Sequence, residues 1–210
     1  MSIQLIRAFG PTIAKIKIPE QMVNSLNNYV DNLITDKKKS KELSAGANLA
    51  GDVTQEFKLE KEFSLKSGWL DLISKATFQW IKITCKKEIK EFKMIDSWIV
   101  RQFQNEYNPV HMHSGHISGA GFLKVPSTLG KYVQEEKHST KKYAGGTLNL
   151  IHGSKQFLSN SIFTIKPEVG DFYFFPNYLM HAVYPFKGTD EERRSISFNA
   201  FIDQSIYNVF

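Results

Sequence analysis

Cysteine is nearly absent from this sequence. The 210 residues contain one, Cys85, so they supply neither the pair that an internal disulfide needs nor a thiolate cluster for zinc. Any metal chemistry must therefore use nitrogen and oxygen ligands, which turns attention to histidine. All six histidines lie in the second half of the chain, and three of them fall within six residues. They are His111, His113, His116, His138, His152 and His181.

Long apolar runs are also missing, and no leader segment is expected. No stretch reaches the roughly 18 uncharged apolar residues of a membrane-spanning helix, and residues 1–7 do not open a secretion signal. The sequence therefore predicts a cytoplasmic protein that makes no membrane contact. The content of 41% hydrophobic and 13% aromatic residues excludes disordered and collagen-like classes, and it is typical of a single soluble domain over residues 1–210.

The net charge of +6 raises the question of a nucleic-acid partner. Basic residues are spread over both halves of the chain, and the lysine clusters at 37–41, 86–87 and 141–142 lack the interleaved aromatic residues of a strand-binding groove. We interpret these clusters as solvated faces and expect no nucleic-acid binding.

Helical periodicity is confined to the first half. After Pro19, apolar residues recur at intervals of three and four up to Ile34, which predicts an amphipathic helix. A second helix is predicted over about 69–92, and its charged side chains exclude a membrane span. Residues 1–95 are therefore predicted to be a helical support region.

From Ser97 onward the apolar pattern changes to a period of two. Short β-rich runs separated by turn residues predict strands at 98–103, 117–125, 146–152, 162–165, 171–175, 182–184 and 195–202. Such spacing without intervening helices favours a sandwich or jelly roll. The predicted fold is α+β, with a cupin-like jelly-roll barrel (a double-stranded β-helix) over 96–203 buttressed by N-terminal helices. The loop 130–142 is expected near the barrel mouth.

The predicted barrel carries residues suited to metal and carboxylate binding. His111 and His113 are two residues apart, so on an extended backbone they face the same side, about 6–7 Å apart at Cα. Taken alone the pair is a weak signal, because surface or packed imidazoles produce it more often than a metal site does. In 193–199, however, Arg193 and Ser195 begin a wholly polar face that suits a cavity wall.

These features together define one chemistry. A guanidinium and a hydroxyl in register can grip a carboxylate. A metal held by three facial ligands keeps three open positions, enough for a chelating 2-oxoacid and dioxygen. An Fe(II) site that takes 2-oxoglutarate, with its C5 carboxylate at Arg193, meets both requirements.

Six segments over about 95–203 resemble the 2-oxoglutarate- and Fe(II)-dependent oxygenases. The similarity is strongest to the prolyl-hydroxylase-like group of marine bacteria and their phages. The segments are HMHSG (111–115), ISGAGFL (117–123), GGTL (145–148), PEVGDFYFFP (167–176), HAVYP (181–185) and RRSISFN (193–199).

This resemblance implies a dioxygenase that hydroxylates a substrate while it decarboxylates 2-oxoglutarate to succinate. It implies iron ligands at His111 and His181, and it implies that Arg193 and Ser195 hold the cosubstrate carboxylate. His113 stands where the family usually has aspartate, and we expect it to be the third ligand. A role beside the metal without binding it is the alternative.

Several residues and functions remain as alternatives. His116 could compete as a ligand but is expected to line the entrance. Arg194 is expected to be an outward-facing surface charge, and it takes the place of Arg193 only if the register is off by one. Gln102 and Gln104 are candidates to touch substrate or cosubstrate. His138 and His152 are expected to be bystanders.

The rival functions are a cupin-like zinc or manganese hydrolase or isomerase and a non-enzymatic ligand-binding barrel. Protein side chains, nucleobases, lipids and small metabolites are all compatible substrates.

Overall fold

A computed structural model describes residues 2–6, 10–45, 51–129, 145–157 and 159–208 of the chain. The predicted loop 130–142, with His138, lies outside these ranges. Within them, no helix is both long and apolar enough to cross a bilayer.

Strands dominate the structure. They are β1 (Gln4–Ile6), β2 (Ile13–Lys17), β3 (Gln55–Lys58), β4 (Phe92–Gln102), β5 (Asn108–His111), β6 (Ile117–Lys124), β7 (Leu148–Ile151), β8 (Ile162–Ile165), β9 (Asp171–Pro176), β10 (Met180–Val183) and β11 (Arg193–Ile202). The helices are α1 (Glu20–Thr35), α2 (Lys37–Leu43), α3 (Lys61–Lys66), α4 (Trp69–Cys85) and α5 (Gln204–Tyr207).

The strands form two antiparallel sheets. The large sheet has the order β1-β2-β9-β6-β11-β4-β3, and the small sheet has the order β5-β10-β7-β8. Most neighbours in a sheet are distant in sequence, so the chain crosses repeatedly between strands. The predicted α+β fold is confirmed at the level of mostly antiparallel sheets accompanied by a few helices.

Alternation along β11 gives the large sheet two different faces. Ile196, Phe198 and Ala200 are fully buried in the core shared with the helices. The intervening residues, which begin with Arg193 and Ser195, line a cavity on the opposite face. This separation follows from the period of two in a strand.

Helices α1 and α4 cover the outer face of the large sheet. Val23, Leu26 and Val30 of α1 join Ile73 of α4 in one apolar core. Trp69 of α4 meets the Phe172 ring of β9 edge-on, with the ring centroids 5.3 Å apart. The helix predicted from the apolar stripe after Pro19 is confirmed.

The second helix ends earlier than predicted. It stops at Cys85, where Lys86 adopts a left-handed conformation with φ of 59°. The chain then pairs with β11 from Phe92 onward, because that edge of the sheet offers ladder hydrogen bonds and an apolar face. Tertiary pairing here overrides a continuous helical pattern.

The first 95 residues also contribute strands, which corrects their description as purely helical support. β2 pairs with β9, and β3 pairs with β4 at the opposite edge of the sheet. Both strands are only four or five residues long. A run of that length carries too little alternation to be recognised in isolation.

Arg194 is buried, whereas the sequence suggested an outward surface charge. Its side chain is 0% exposed. It donates to Asp31 of α1 at 2.6 Å and to Glu192 at 2.5 Å, and it also reaches the backbone carbonyl of Asn27 at 3.0 Å. Arg194 therefore joins α1 to the sheet.

Replacing Arg194 with alanine is expected to lower the free energy of unfolding by about 3–5 kcal/mol, because it breaks a buried charge network. Lys124 also contacts Asp31, at 3.2 Å, but its side chain is 38% exposed. Lys124→Ala is the matched control and is expected to cost less than about 1 kcal/mol. Urea unfolding followed by tryptophan fluorescence measures both, and equally small losses would contradict this role for Arg194.

Candidate active site

Three histidines converge at one end of the small sheet. His181 of β10 pairs directly with His111 of β5, and His113 follows His111 by two residues. Each histidine presents one ring nitrogen to the others, and these three nitrogens all lie within 4.8 Å of one another. The Nε2 atoms of His113 and His181 are 3.1 Å apart.

Two backbone carbonyls orient this triad. The Nδ1 atom of His111 lies 2.7 Å from the carbonyl oxygen of Pro109, and that of His181 lies 3.1 Å from the carbonyl oxygen of Leu179. Because a carbonyl oxygen only accepts, each Nδ1 carries the proton and each Nε2 keeps its lone pair. This is the tautomer that a metal-binding imidazole requires.

Burial keeps two imidazoles of the triad neutral. It lowers the pKa of His181 to about 3, with His111 and His113 adding to the effect through charge repulsion. Burial and the neighbouring His111 likewise lower the pKa of His113 to about 4. Neutral imidazoles are the form that binds metals, and a set of three imidazole nitrogens suits iron or zinc. The donor set therefore fits a divalent metal ion.

No second cluster of this kind occurs in the described ranges. His116, the sequence-based competitor, is 7% exposed, stacks on Tyr207 with centroids 4.0 Å apart, and accepts a hydrogen bond at Nδ1 from the Ile202 amide at 3.2 Å. It lines a separate cavity together with His152, not the entrance to the triad. Its distance from the triad follows from the turn around Gly115, where φ is 89°.

A cavity of about 310 Å³ lies between the inner faces of the two sheets, with the triad on its wall. Strand β11 contributes its polar face: Arg193, Ser195, Ser197 and Asn199. Strand β4 adds Gln102 and Trp98, and the Trp98 ring lies 5.4 Å from that of His113. The candidate metal ligands and the polar face predicted from the sequence thus share one cavity.

Arg193 is a buried charge with no counter-ion among the described residues. It is 2% exposed, its Nη1 donates to the Gln102 side-chain oxygen at 3.0 Å, and its guanidinium lies 5.0 Å above the Phe122 ring. Its Nε has no hydrogen-bond partner, and no described carboxylate pairs with it. Burial lowers its pKa to about 10. Such a group is costly unless an anion accompanies it, so the cavity is suited to an anionic ligand.

The other site residues considered from the sequence divide into those that line the cavity and those that lie outside it. Ser195 lines the cavity beside Arg193, whereas Arg194 faces α1 and its carboxylates. Gln102 lines the cavity, but Gln104 lies beyond the end of β4 and donates to Asp190 at 2.7 Å near the surface.

Three charged residues of the cavity wall were missed from the sequence: Glu56, Lys58 and Asp96. The first two belong to the short strand β3, whose alternation is too brief to recognise. Burial, helped by the nearby Asp96, raises the pKa of Glu56 to about 7. The only indication of β3 in the sequence was the apolar Phe57 between the charged residues Glu56 and Lys58.

Comparison with known families decides the class. Residues 96–199, which hold the triad, Arg193 and Ser195, match a family model described as "Putative 2OG-Fe(II) oxygenase". The chain belongs to the 2-oxoglutarate- and Fe(II)-dependent oxygenases. The resemblance inferred from the six segments is thereby confirmed. No curated protein matches the sequence of this oxygenase.

Solved structures share the oxygenase fold at low sequence identity. A prolyl-4-hydroxylase from Pseudomonas putida is 12% identical over 89% of this chain and 91% of that one, with a TM-score of 0.56. A Trichoplax adhaerens prolyl hydroxylase, solved with a hypoxia-inducible-factor peptide fragment, is 12% identical over 93% and 85%, with a TM-score of 0.57. The viral collagen prolyl hydroxylase of Paramecium Bursaria Chlorella virus-1, solved with 2-oxoglutarate, is 16% identical over 90% and 94%, with a TM-score of 0.52.

His111→Ala and His181→Ala are each expected to weaken Fe(II) binding by the oxygenase. The loss should exceed the roughly 10–100-fold that removal of a supporting hydrogen bond costs, because each variant removes a donor nitrogen. Anaerobic equilibrium dialysis measures the affinity. His152→Ala is the control and should bind Fe(II) normally, since His152 lines the separate cavity. Undiminished binding by the two triad variants would contradict the assignment.

Proposed function

We propose that His111, His113 and His181 hold Fe(II) in this oxygenase, and that Arg193 and Ser195 hold the C5 carboxylate of 2-oxoglutarate. The observation that carries the proposal is the charge of Arg193, which no described carboxylate neutralises, in the cavity that also holds the triad. A dicarboxylate can bind the metal through one end and pair with the Arg193 guanidinium through the other.

Bound Fe(II), with dioxygen and 2-oxoglutarate, supplies the oxidising power that hydroxylates the substrate and releases succinate and carbon dioxide. The protein orients the reactants. The carbonyls of Pro109 and Leu179 fix two imidazoles. Arg193 fixes the far end of the cosubstrate, and the Ser195 hydroxyl donates beside it. Phe122 and Leu148 line the cavity with apolar surface, which strengthens these interactions by limiting water.

The proposed architecture is a double-stranded β-helix in one domain. The four strands of the small sheet (β5, β10, β7 and β8) and the four central strands of the large sheet (β9, β6, β11 and β4) would form the two layers, and β5, β10 and β7 line the cavity together with β6, β11 and β4. Two four-stranded antiparallel sheets in this arrangement are typical of jelly rolls. Helices α1 and α4 share their core with the large sheet, so the segments 1–95 and 96–203 are proposed to form one folding unit.

His113 is proposed as the third iron ligand in the position of the usual aspartate. A neutral imidazole leaves the metal with one more unit of positive charge than a carboxylate does. His113→Asp is therefore expected to retain Fe(II), whereas His113→Leu should bind it much more weakly. Equilibrium dialysis distinguishes the variants. If His113→Leu bound Fe(II) as well as the wild type, His113 would lie beside the metal without binding it.

One rival is a zinc or manganese hydrolase or isomerase on the same three histidines. The fold alone does not decide between reactions, since a structural neighbour at 11% identity and a TM-score of 0.56 is the α-ketoglutarate-dependent epimerase SnoN of nogalamycin biosynthesis. A zinc hydrolase has no use for a buried guanidinium beside the metal. Arg193 therefore favours the 2-oxoglutarate chemistry over this rival and over a non-enzymatic barrel.

The proposal is tested by adding Fe(II) and 2-oxoglutarate to the anaerobic protein. A weak charge-transfer band in the visible range is expected, followed by succinate formation on exposure to air. Absence of the band together with absence of succinate would overturn the proposed function. Labelled dioxygen distinguishes hydroxylation from epimerisation, because only the former leaves an oxygen atom in the substrate.

Arg193→Ala is expected to weaken 2-oxoglutarate binding by roughly 30-fold or more, since a buried charge pair is worth at least about 2 kcal/mol. Fe(II) affinity should stay unchanged. Calorimetry with each ligand under anaerobic conditions measures both. Ser197→Ala, which alters the same polar face farther along β11, is the control. Equal loss of both ligands in Arg193→Ala would indicate a folding role instead.

A further inference from the structure

Gln102 holds Arg193 from the wall of the cavity. It is 1% exposed, and its Oε1 accepts the 3.0 Å hydrogen bond from Arg193 Nη1. We propose that Gln102 is a positioning residue that fixes the guanidinium of Arg193. Because the Gln102 amide is neutral, the charge of Arg193 stays available for the cosubstrate. This inference rests on the proposed function.

The orientation of the Gln102 amide is fixed by two acceptors. Its Nε2 donates to the carbonyl oxygen of Glu106 at 2.5 Å and lies 3.5 Å from that of Tyr184. Since carbonyl oxygens only accept, the amide cannot turn over without losing these bonds. Oε1 must therefore face Arg193.

Glu106 is itself held in place. Its carboxylate accepts from the Phe103 amide at 2.9 Å and from the Thr54 hydroxyl at 2.6 Å. The chain of hydrogen bonds from Thr54 through Glu106 and Gln102 to Arg193 leaves the guanidinium little freedom. A fixed guanidinium sets the distance between the metal and the far carboxylate, which selects the length of the cosubstrate.

In the part of the chain that the structure describes, the neighbouring arginines have carboxylate partners and Arg193 has none. Arg193 pairs with Gln102 across the β11–β4 ladder, and Arg194 pairs with Arg101 at the next position. On that outer face Glu192 contacts Arg101 at 2.9 Å and Arg194 at 2.5 Å. The arginines facing away from the cavity are neutralised by a carboxylate, whereas the one facing the cavity meets an amide.

The neutral side chain at position 102 affects how strongly Arg193 can attract an anionic ligand. A carboxylate at this position would form an ion pair with the guanidinium and would repel the carboxylate of an incoming ligand. The amide oxygen holds the guanidinium without a net charge, so most of the attraction remains available to the ligand. The remaining N–H groups of Arg193 are then the ones that meet the cosubstrate.

Gln102→Met tests the positioning role, because it keeps the size of the side chain and removes the acceptor. We expect 2-oxoglutarate affinity to fall by roughly tenfold or more, as for a hydrogen bond to a charged group. The preference for 2-oxoglutarate over oxaloacetate and 2-oxoadipate, one carbon shorter and longer, should also shrink. Fe(II) affinity should stay unchanged. Anaerobic calorimetry measures each constant, and urea unfolding verifies that the variant is folded.

Gln102→Glu tests the role of neutrality. Glu56, Lys58 and Asp96 share the cavity and Glu56 has a pKa of about 7, so the affinity is compared with that of the wild type at each pH. Relative to the wild type, Gln102→Glu should bind 2-oxoglutarate more weakly than Gln102→Met at pH 8, and it should recover as the pH falls and the introduced carboxylate is protonated. Gln104→Met and Gln104→Glu are the matched controls, since Gln104 lies outside the cavity on the same segment. Both controls should bind like the wild type at every pH.

The outcomes separate this inference from the proposed function. An unchanged preference among the three oxoacids in Gln102→Met, or a pH-independent loss in Gln102→Glu, would overturn the role of Gln102. A wild type that binds Fe(II) but not 2-oxoglutarate would overturn the proposed function. In that case the role of Gln102 is tested by measuring glutarate binding to the metal-free wild type and the metal-free Gln102→Met variant. Weaker binding by the variant than by the wild type supports the role, whereas equal binding, or no binding to either protein, overturns it.

Discussion

The register of β11 between β4 and β6 is the constraint on which the site depends. It directs Arg193 and Ser195 into the cavity and places Ile196 and Phe198 among the helices. A shift of one residue would bury the polar face in the apolar core and turn the core residues toward the cavity. The same register sends Arg194 to the carboxylates beneath α1.

The small sheet depends on an equally simple pairing. His111 and His181 are opposite one another on β5 and β10, so their imidazoles meet without a specialised loop. His113 reaches the same face because it is two residues farther along the chain. The backbone carbonyls of Pro109 and Leu179 then select the tautomer, so local geometry supplies the orientation that many metal sites obtain from added side chains.

The charge distribution in the cavity fits the proposed ligand. The imidazoles of His113 and His181 are held neutral, and no carboxylate among the described residues pairs with Arg193. In contrast, the outer side of the same strands is neutralised through Glu192 and Asp31. Among the described residues of β11, Arg193 thus lacks a counter-ion where an anion is expected to bind, whereas Arg194, the next residue, is paired with carboxylates.

The sequence by itself determined α1, through its apolar stripe, and the candidate pairs His111 with His113 and Arg193 with Ser195. These rest on short-range periodicity, which a strand or helix imposes wherever it occurs. Only the tertiary structure decided that β3 brings Glu56 to the cavity, that His116 turns away, and that Gln102 meets Arg193. Such contacts join strands that are distant along the chain, and no local pattern specifies which strands become neighbours.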